Sequence, residues 1–145
     1  MVNRNLPRIL CVDDEAHVLS GIKRRMRTKY NIVTAMGAEE GLNELNNNGP
    51  FDVVISDFRM PGMNGAEFLC KAMEIDPTVT RILLTGEANM QEVQTAINEG
   101  HVYKVLLKPC SAEELRDAMS SAVKKHIENQ SANVQVDELL KTLAP

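Results

Sequence analysis

The chain lacks most of the features that mark membrane-spanning, secreted or disulfide-rich proteins. It has 145 residues, no tryptophan and only 3% aromatic residues. None of its apolar runs approaches the roughly 20 residues that a transmembrane helix needs. Residues 1–7 are polar and carry no apolar signal region. We therefore expect a cytoplasmic protein that does not contact a membrane.

Excess positive charge is also absent, and the few cysteines form no recognisable pattern. The formal net charge is -4, so composition gives no reason to expect direct nucleic-acid binding. The three cysteines, Cys11, Cys70 and Cys110, are odd in number and lack metal-site spacing. We assign none of them a redox role. What the chain does have is the length of one domain and 43% hydrophobic residues, enough to bury a core.

Five apolar runs alternate with five amphipathic segments. The runs at residues 8–14, 30–35, 53–57, 80–85 and 102–107 are typical of strands, and residues 15–29, 38–47, 65–75, 89–99 and 111–127 are typical of helices. Strict alternation predicts an α/β fold in which helices cover both faces of a doubly wound parallel sheet. The first, third and fourth runs are the most apolar and belong in the middle. We therefore predict the flavodoxin-like (βα)5 fold with strand order 2-1-3-4-5.

The end of the chain is expected to differ from this repeating unit. The polar segment 129–133 is expected to break the last helix, and the apolar residues after it to form one more short amphipathic piece. We expect residues 1–127 to form the domain. Residues 128–145 would then be a tail, a linker or the start of a signalling helix.

Acidic residues stand at the carboxyl ends of two predicted strands. Asp57 ends the third run, and Asp13 and Asp14 end the first. The fourth run ends at Thr85-Gly86 and the fifth at Lys108-Pro109. Because the strands of a parallel sheet place these ends along one edge, we expect the polar side chains to converge there.

Three converging carboxylates predict a site for a hard divalent cation. Close carboxylates repel one another, and a cation among them relieves the repulsion. Oxygen ligands suit Mg²⁺, with Mn²⁺ as a substitute. We expect Asp14 and Asp57 to bind it directly, Asp13 to act through water, and the backbone carbonyl of Arg59 to reach the same ion.

The other polar groups at this edge suit phosphate. Lys108 supplies a point charge, Thr85 a hydroxyl, and the backbone around Gly86 closely approaching N–H groups. Phosphoryl transfer needs mainly positioning and charge neutralisation, and aspartate is a competent phosphoryl acceptor. Each residue alone also suits an ordinary cap, turn or loop. Their joint placement at successive strand ends favours Asp57 as an acceptor.

These motifs resemble the receiver domain of bacterial two-component response regulators. The resemblance covers residues 8 to about 127 and rests on four segments, Val12-Asp13-Asp14-Glu15, Ser56 to Gly65, Leu83-Leu84-Thr85-Gly86 and Leu107-Lys108-Pro109. It implies that Asp57 accepts a phosphoryl group from a sensor histidine kinase or phosphotransfer protein. It also implies a required Mg²⁺, a cis peptide bond at Lys108-Pro109, and a signalling domain instead of a turnover enzyme.

One position departs from the receiver pattern. Receivers commonly carry an aromatic switch residue three positions before the lysine, where this chain has Val105, and the aromatic is Tyr103. Either Tyr103 substitutes or the aromatic switch is absent and Tyr103 is an ordinary edge residue. Our hypothesis is that Thr85 still moves on phosphorylation, without a full aromatic swing.

Two charged residues are candidates for setting the lifetime of the phosphorylated state. Arg59 and Glu87 are expected to flank the phosphoryl site, where they would pair and hinder attacking water. The alternative is two solvated charges, since exposed pairs contribute only about 0–1 kcal/mol.

One further segment bears on the output of the domain. Residues 98–110 resemble receivers that precede HD-type cyclic-dinucleotide phosphodiesterase domains. We expect the face formed by the fourth helix, fifth strand and fifth helix to meet an output domain, a partner or a second copy of the chain.

Three rival functions are compatible with the fold. A phosphohydrolase of the haloacid-dehalogenase type needs a second acid two residues after its nucleophile, where this chain has Arg59. Flavin binding is disfavoured because there is no tryptophan and the first loop carries acids where phosphate would sit. A receiver-like scaffold that never takes phosphate is disfavoured by the intact acidic set.

Overall fold

The computed structural model describes residues 6–99 and 101–143, in which strands and helices alternate as predicted. The elements are β1 (Arg8–Asp13), α1 (Ala16–Met26), β2 (Asn31–Met36), α2 (Ala38–Asn48), β3 (Val53–Asp57), α3 (Gly65–Ile75), β4 (Thr80–Thr85), α4 (Met90–Asn98), β5 (Lys104–Leu107) and α5 (Ala112–Leu143). A short 3-10 helix, Glu87–Asn89, joins β4 to α4.

The five strands form one parallel sheet in the order β2-β1-β3-β4-β5. This confirms the flavodoxin-like topology. Residue pairs such as Ile55 with Ile82, and Thr85 with Leu107, set the register. The most apolar strands lie in the middle because helices cover both of their faces.

Alternation along the strands divides the core into two layers. Ile9, Ile55 and Ile82 pack with the apolar faces of α1 and α5. Leu10, Val54 and Leu83 point the other way and pack with α2, α3 and α4. The carboxyl edge of the sheet therefore lies between two helical layers.

The last helix is the main difference from the sequence-based expectation. α5 continues without a break from Ala112 to Leu143, through the polar segment 129–133. Asparagine, glutamine and serine lower helix propensity only modestly, and this stretch contains no glycine or proline. Asn129 also packs back on the domain, donating a hydrogen bond to the Thr78 carbonyl over 3.3 Å. The prediction of a broken helix was therefore wrong.

Smaller differences occur at element ends. β5 begins at Lys104, two residues later than predicted, although the Tyr103 N–H donates to the Arg81 carbonyl over 2.8 Å. Ser111 caps the start of α5, because the Glu114 N–H donates to Ser111 Oγ over 3.0 Å. None of the helices in the described ranges has the length and apolar character needed to cross a bilayer.

Candidate functional site

Three carboxylates meet at the carboxyl edge of the sheet. Asp13 is the last residue of β1, Asp14 follows it, and Asp57 is the last residue of β3. One carboxylate oxygen from each lies within 4.8 Å of the others. Asp13 and Asp57 are buried, whereas Asp14 is exposed. The site therefore has two acids in its floor and one at its mouth.

Burial is the main influence on the pKa of the Asp13 carboxyl, and neighbouring acids act in the same direction. Burial raises the pKa of the Asp13 carboxyl, and the charge of Asp57 and a hydrogen bond with Asp14 act in the same direction. The Glu15 N–H, 3.0 Å from Asp13 Oδ1, and the charge of Lys108 lower that pKa without outweighing the other effects. A cation would relieve the repulsion between the three carboxylates.

Lys108 is the positive group of the site. Its Nζ forms an ion pair with Asp57 Oδ1, and its backbone N–H donates to the Thr85 carbonyl over 2.9 Å. Burial alone would lower the pKa of Lys108, but its hydrogen bond to Asp57 and the nearby negative charges raise it. Lys108 is therefore held in its charged form beside Asp57. The peptide bond between Lys108 and Pro109 is cis.

Thr85 and Gly86 line the edge next to Lys108. Thr85 is 1% exposed, and its hydroxyl lies 3.2 Å from the Gly86 carbonyl, to which it donates. A Cβ atom built on Gly86 would meet nothing within 4 Å, so the backbone there is open to an incoming group. The hydroxyl would have to leave the Gly86 carbonyl to contact a phosphoryl group.

Arg59 contacts a residue that the sequence did not indicate. Its Nη2 donates to Asn89 Oδ1 over 2.7 Å, and Asn89 is only 7% exposed. An asparagine at the start of a predicted helix suggests a cap and nothing more, so no sequence pattern distinguished it. The Glu87 side chain, the expected partner of Arg59, lies outside the described part of the structure.

The two candidate switch residues lie in different places. Val105 is half-buried, pairs with Leu83 in the register and packs on the layer of α2, α3 and α4. Tyr103 lies before β5, beside Arg81, whereas Thr85 ends β4. Arg81 and Thr85 are four residues apart along β4, a distance of roughly 13 Å. The structure does not bring Tyr103 to the site, which favours the alternative without an aromatic switch.

Gly65 shapes the loop behind Asp57. A Cβ atom on Gly65 would lie 2.2 Å from the Asp57 carbonyl oxygen, and the Gly65 N–H donates to the Phe58 carbonyl over 2.8 Å. The sequence indicated Gly65 only as a helix boundary. Its small size in fact lets α3 begin directly against the end of β3.

The receiver motifs and the geometry agree with a family-level comparison. The family model described as the response regulator receiver domain matches residues 9–120. The hydrogenase transcriptional regulatory protein HoxA of Cupriavidus necator is 31% identical over 115 residues, which are 79% of this chain and 24% of HoxA. This chain therefore spans about a quarter of the length of the curated relatives it matches.

Crystal structures show the same likeness. The signal receiver domain of an HD domain-containing protein from Pseudomonas fluorescens Pf-5 is 30% identical, with a TM-score of 0.80 over 90% of this chain and 96% of that one. The response regulator TrrA of Thermotoga maritima, in complex with Mg²⁺-BeF, is 27% identical, with a TM-score of 0.69 over 81% of this chain and 99% of that one. The chain thus belongs to the response regulator receiver domain family of two-component systems.

Proposed function

We propose that Asp57 accepts a phosphoryl group from the phosphohistidine of a sensor histidine kinase or phosphotransfer protein. The observation that carries this proposal is the placement of Asp57 within 4.8 Å of two further carboxylates and in an ion pair with Lys108. An acceptor carboxylate, acids for a cation and a fixed positive charge are the groups that phosphoryl transfer to aspartate needs.

The donor set fits Mg²⁺, with Mn²⁺ as a substitute. The three carboxylates offer oxygen ligands, and their mutual repulsion is what a divalent cation would offset. Asp14 and Asp57 would bind the ion directly, Asp13 through water, and Arg59 through its backbone carbonyl. When bound, the ion neutralises charge on the incoming phosphoryl oxygens. The crystal structure of TrrA with Mg²⁺-BeF supports this proposal by analogy.

The residues of the chain then have separate tasks. Lys108 would turn from Asp57 towards a phosphoryl oxygen, and its side chain, 44% exposed, has room to do so. Thr85 would leave the Gly86 carbonyl and donate its hydroxyl to another phosphoryl oxygen. Backbone N–H groups around Gly86 would complete the contacts. Because Tyr103 lies elsewhere, Thr85 would move without an aromatic swing.

Intact mass spectrometry after incubation with acetyl phosphate and Mg²⁺ tests the proposal. We expect the gain of one phosphoryl group, which disappears in Asp57→Asn and when the metal is chelated. Asp117→Asn, which changes an exposed aspartate on α5, should keep the gain and is the matched control. A gain that survives in Asp57→Asn would contradict the assignment, and no gain would favour the scaffold alternative.

A phosphohydrolase is the enzymatic alternative. It would need an acid two residues after Asp57, but Arg59 stands there and its guanidinium bonds to Asn89. Receiver domains of response regulators are signalling domains. Sustained turnover of a phosphomonoester by this chain would overturn the signalling assignment.

The output side of the proposal concerns α4, β5 and α5. We place the receiver domain in residues 1–127 and propose that residues 128–145 are a linker or signalling helix. The observation behind this is that α5 runs on to Leu143 with Leu139 and Leu140 each 61% exposed. The face of α4, β5 and α5 would meet an output domain, a partner or a second copy of the chain. The HD domain-containing relative makes an HD-type phosphodiesterase one candidate output.

Native mass spectrometry, with and without Mg²⁺ and beryllium fluoride, tests the second-copy variant. A phosphoryl mimic that converts monomer to dimer would support it. A monomer under both conditions would exclude self-association through this face at the concentration used.

A further inference from the structure

A groove between α3 and α4 contains a cysteine facing a histidine. Cys70 of α3 and His101, which follows α4, line a groove of about 440 Å³. Cys70 Sγ lies 3.8 Å from His101 Nε2. On the other side of the ring, Nδ1 lies 3.4 Å from Glu99 Oε2. A thiol, a base and an orienting carboxylate thus lie in one row.

The carboxylate determines which ring nitrogen is free. An ionised carboxylate only accepts hydrogen bonds, so Glu99 favours the tautomer with the proton on Nδ1. The lone pair of Nε2 then faces the Cys70 thiol. A thiol that can pass its proton to a neighbouring imidazole is the arrangement of an activated cysteine nucleophile.

The surroundings hold His101 in this position. Its carbonyl accepts a hydrogen bond from Arg81 Nε over 2.8 Å, and its N–H donates to the Ala96 carbonyl over 3.2 Å. The imidazole is 17% exposed. Burial lowers the pKa of Arg81, and the charges of Asp76 and Cys70 oppose that shift, so the guanidinium and a Cys70 thiolate attract each other. The Cys70 thiol therefore has a proton acceptor in His101, and its thiolate form would have a nearby cation in Arg81.

The other two cysteines lie in different surroundings and provide internal controls. Cys11 is 1% exposed, and burial raises the pKa of its thiol to about 12. Burial and the charge of Glu114 raise the pKa of the Cys110 thiol, whose Sγ contacts the Ser111 carbonyl at 3.6 Å. Thiolates, not thiols, are nucleophiles, so these two positions should react slowly.

The charge of the groove sets the class of reagent. Glu67, Glu74, Glu92 and Glu99 line it, against one lysine, Lys71. Negative potential attracts cations and repels anions before any bond forms. Small disulfides that carry ammonium groups should therefore reach Cys70 more readily than disulfides that carry carboxylates.

We propose that Cys70 is a thiol–disulfide exchange site for small cationic disulfides, with His101 as its base and Glu99 as the residue that positions His101. The thiol proton passes to His101 Nε2, and the Cys70 thiolate attacks one sulfur of the disulfide. The new S–S bond forms as the reagent's S–S bond breaks. The departing thiolate takes the proton from His101, so Cys70 is oxidised and the reagent is reduced to one thiol and one bound half. The reaction is independent of Asp57.

Labelling with cystamine, followed by intact mass and peptide mapping, tests this proposal on the full chain. We expect one cysteamine adduct, at Cys70, formed roughly tenfold faster than any adduct at Cys110. His101→Gln and Glu99→Gln should each slow labelling of Cys70 while leaving Cys110 unchanged. Asp57→Asn should label at the same rate as the parent chain. Dithiodiglycolate, an anionic disulfide, should react more slowly than cystamine.

Several outcomes would overturn the proposal. Equal rates at Cys70 and Cys110 would show that His101 does not activate the thiol. An unchanged labelling rate of Cys70 in both His101→Gln and Glu99→Gln, with circular dichroism showing an intact fold, would refute the roles assigned to His101 and Glu99. Faster reaction with dithiodiglycolate than with cystamine would refute the charge argument.

Discussion

Replacing Gly65 by alanine tests how tightly α3 is joined to the acidic edge. The added Cβ atom would lie 2.2 Å from the Asp57 carbonyl oxygen and 2.9 Å from Leu83 Cδ1. The leucine methyl group can move, but the carbonyl belongs to the backbone of a central strand. Gly65 has no positive φ angle, so lack of space and not backbone conformation is the constraint.

The magnitude follows from the movement that the clash requires. The start of α3 must move away from β3 by about 1 Å, which strains packing at a cost of about 1–3 kcal/mol. It also stretches the Gly65 N–H bond to the Phe58 carbonyl, which contributes about 1 kcal/mol. Higher helix propensity returns at most about 1 kcal/mol. We expect Gly65→Ala to lower the free energy of unfolding by about 1–3 kcal/mol.

Gly21→Ala is the matched control. Gly21 lies inside α1, and a Cβ atom there would meet nothing within 4 Å. The same chemical change should therefore stabilise the protein by about 0.4–1 kcal/mol. Urea unfolding followed by circular dichroism should show midpoints that differ by roughly 1–2 M, for an m value of about 2 kcal/mol/M.

The difference in stability between Gly65→Ala and Gly21→Ala tests whether α3 packs this closely against β3. If Gly65→Ala is as stable as Gly21→Ala, the close approach of α3 to the Asp57 carbonyl does not exist in solution. A destabilised Gly65→Ala that also loses phosphoryl gain from acetyl phosphate would show that this junction positions the acceptor.

Three further predictions concern charge. Asp13→Asn removes a buried charge, so in calorimetry without divalent ions it should raise Tm by roughly 3 °C. The same substitution should reduce the increase in Tm that Mg²⁺ produces. A lower Tm of Asp13→Asn without metal would contradict this prediction. Burial alone would raise the pKa of Asp52, but interactions with His126 and with the Arg8 N–H hold that pKa below its usual range. His126 Nδ1 lies 3.0 Å from Asp52 Oδ1. The stabilisation from this lowered pKa is present above the unfolded pKa of about 3.9 and is lost as pH falls through the lower folded pKa. Asp52→Asn should therefore be less stable at pH 7, and its free energy of unfolding should fall less steeply in acid. An unchanged dependence of the unfolding free energy on acidic pH would refute this prediction. Arg59→Ala should shorten the lifetime of the phosphorylated state by less than about tenfold, since exposed charges contribute about 0–1 kcal/mol. An unchanged dephosphorylation rate would show that Arg59 does not influence this lifetime.

The topology could be predicted because few arrangements satisfy the pattern. Apolar runs that alternate with amphipathic segments require a parallel sheet, and right-handed crossovers leave few strand orders. The same topology brings Asp13, Asp57 and Lys108 to one edge. Position along the chain was therefore enough to predict that these side chains lie close together.

Features that depend on weak local preferences or through-space contacts could not be predicted. Polar residues at 129–133 suggested a break, but their propensity costs are small and Asn129 gains a contact with Thr78. The bond from Arg59 to Asn89 spans 30 residues, and the contact of Cys70 with His101 spans 31. Such pairs leave no periodic signal, because they are created when separate elements pack together.

Chemical mapping of the phosphorylated residue tests the central claim most directly. The chain is treated with acetyl phosphate and Mg²⁺, and borohydride then reduces the acyl phosphate of aspartate to homoserine, which peptide mass spectrometry locates. We predict homoserine at position 57 and unmodified aspartate at positions 13 and 14. Homoserine at position 13 or 14, or phosphate on a residue outside the acidic edge, would contradict the account.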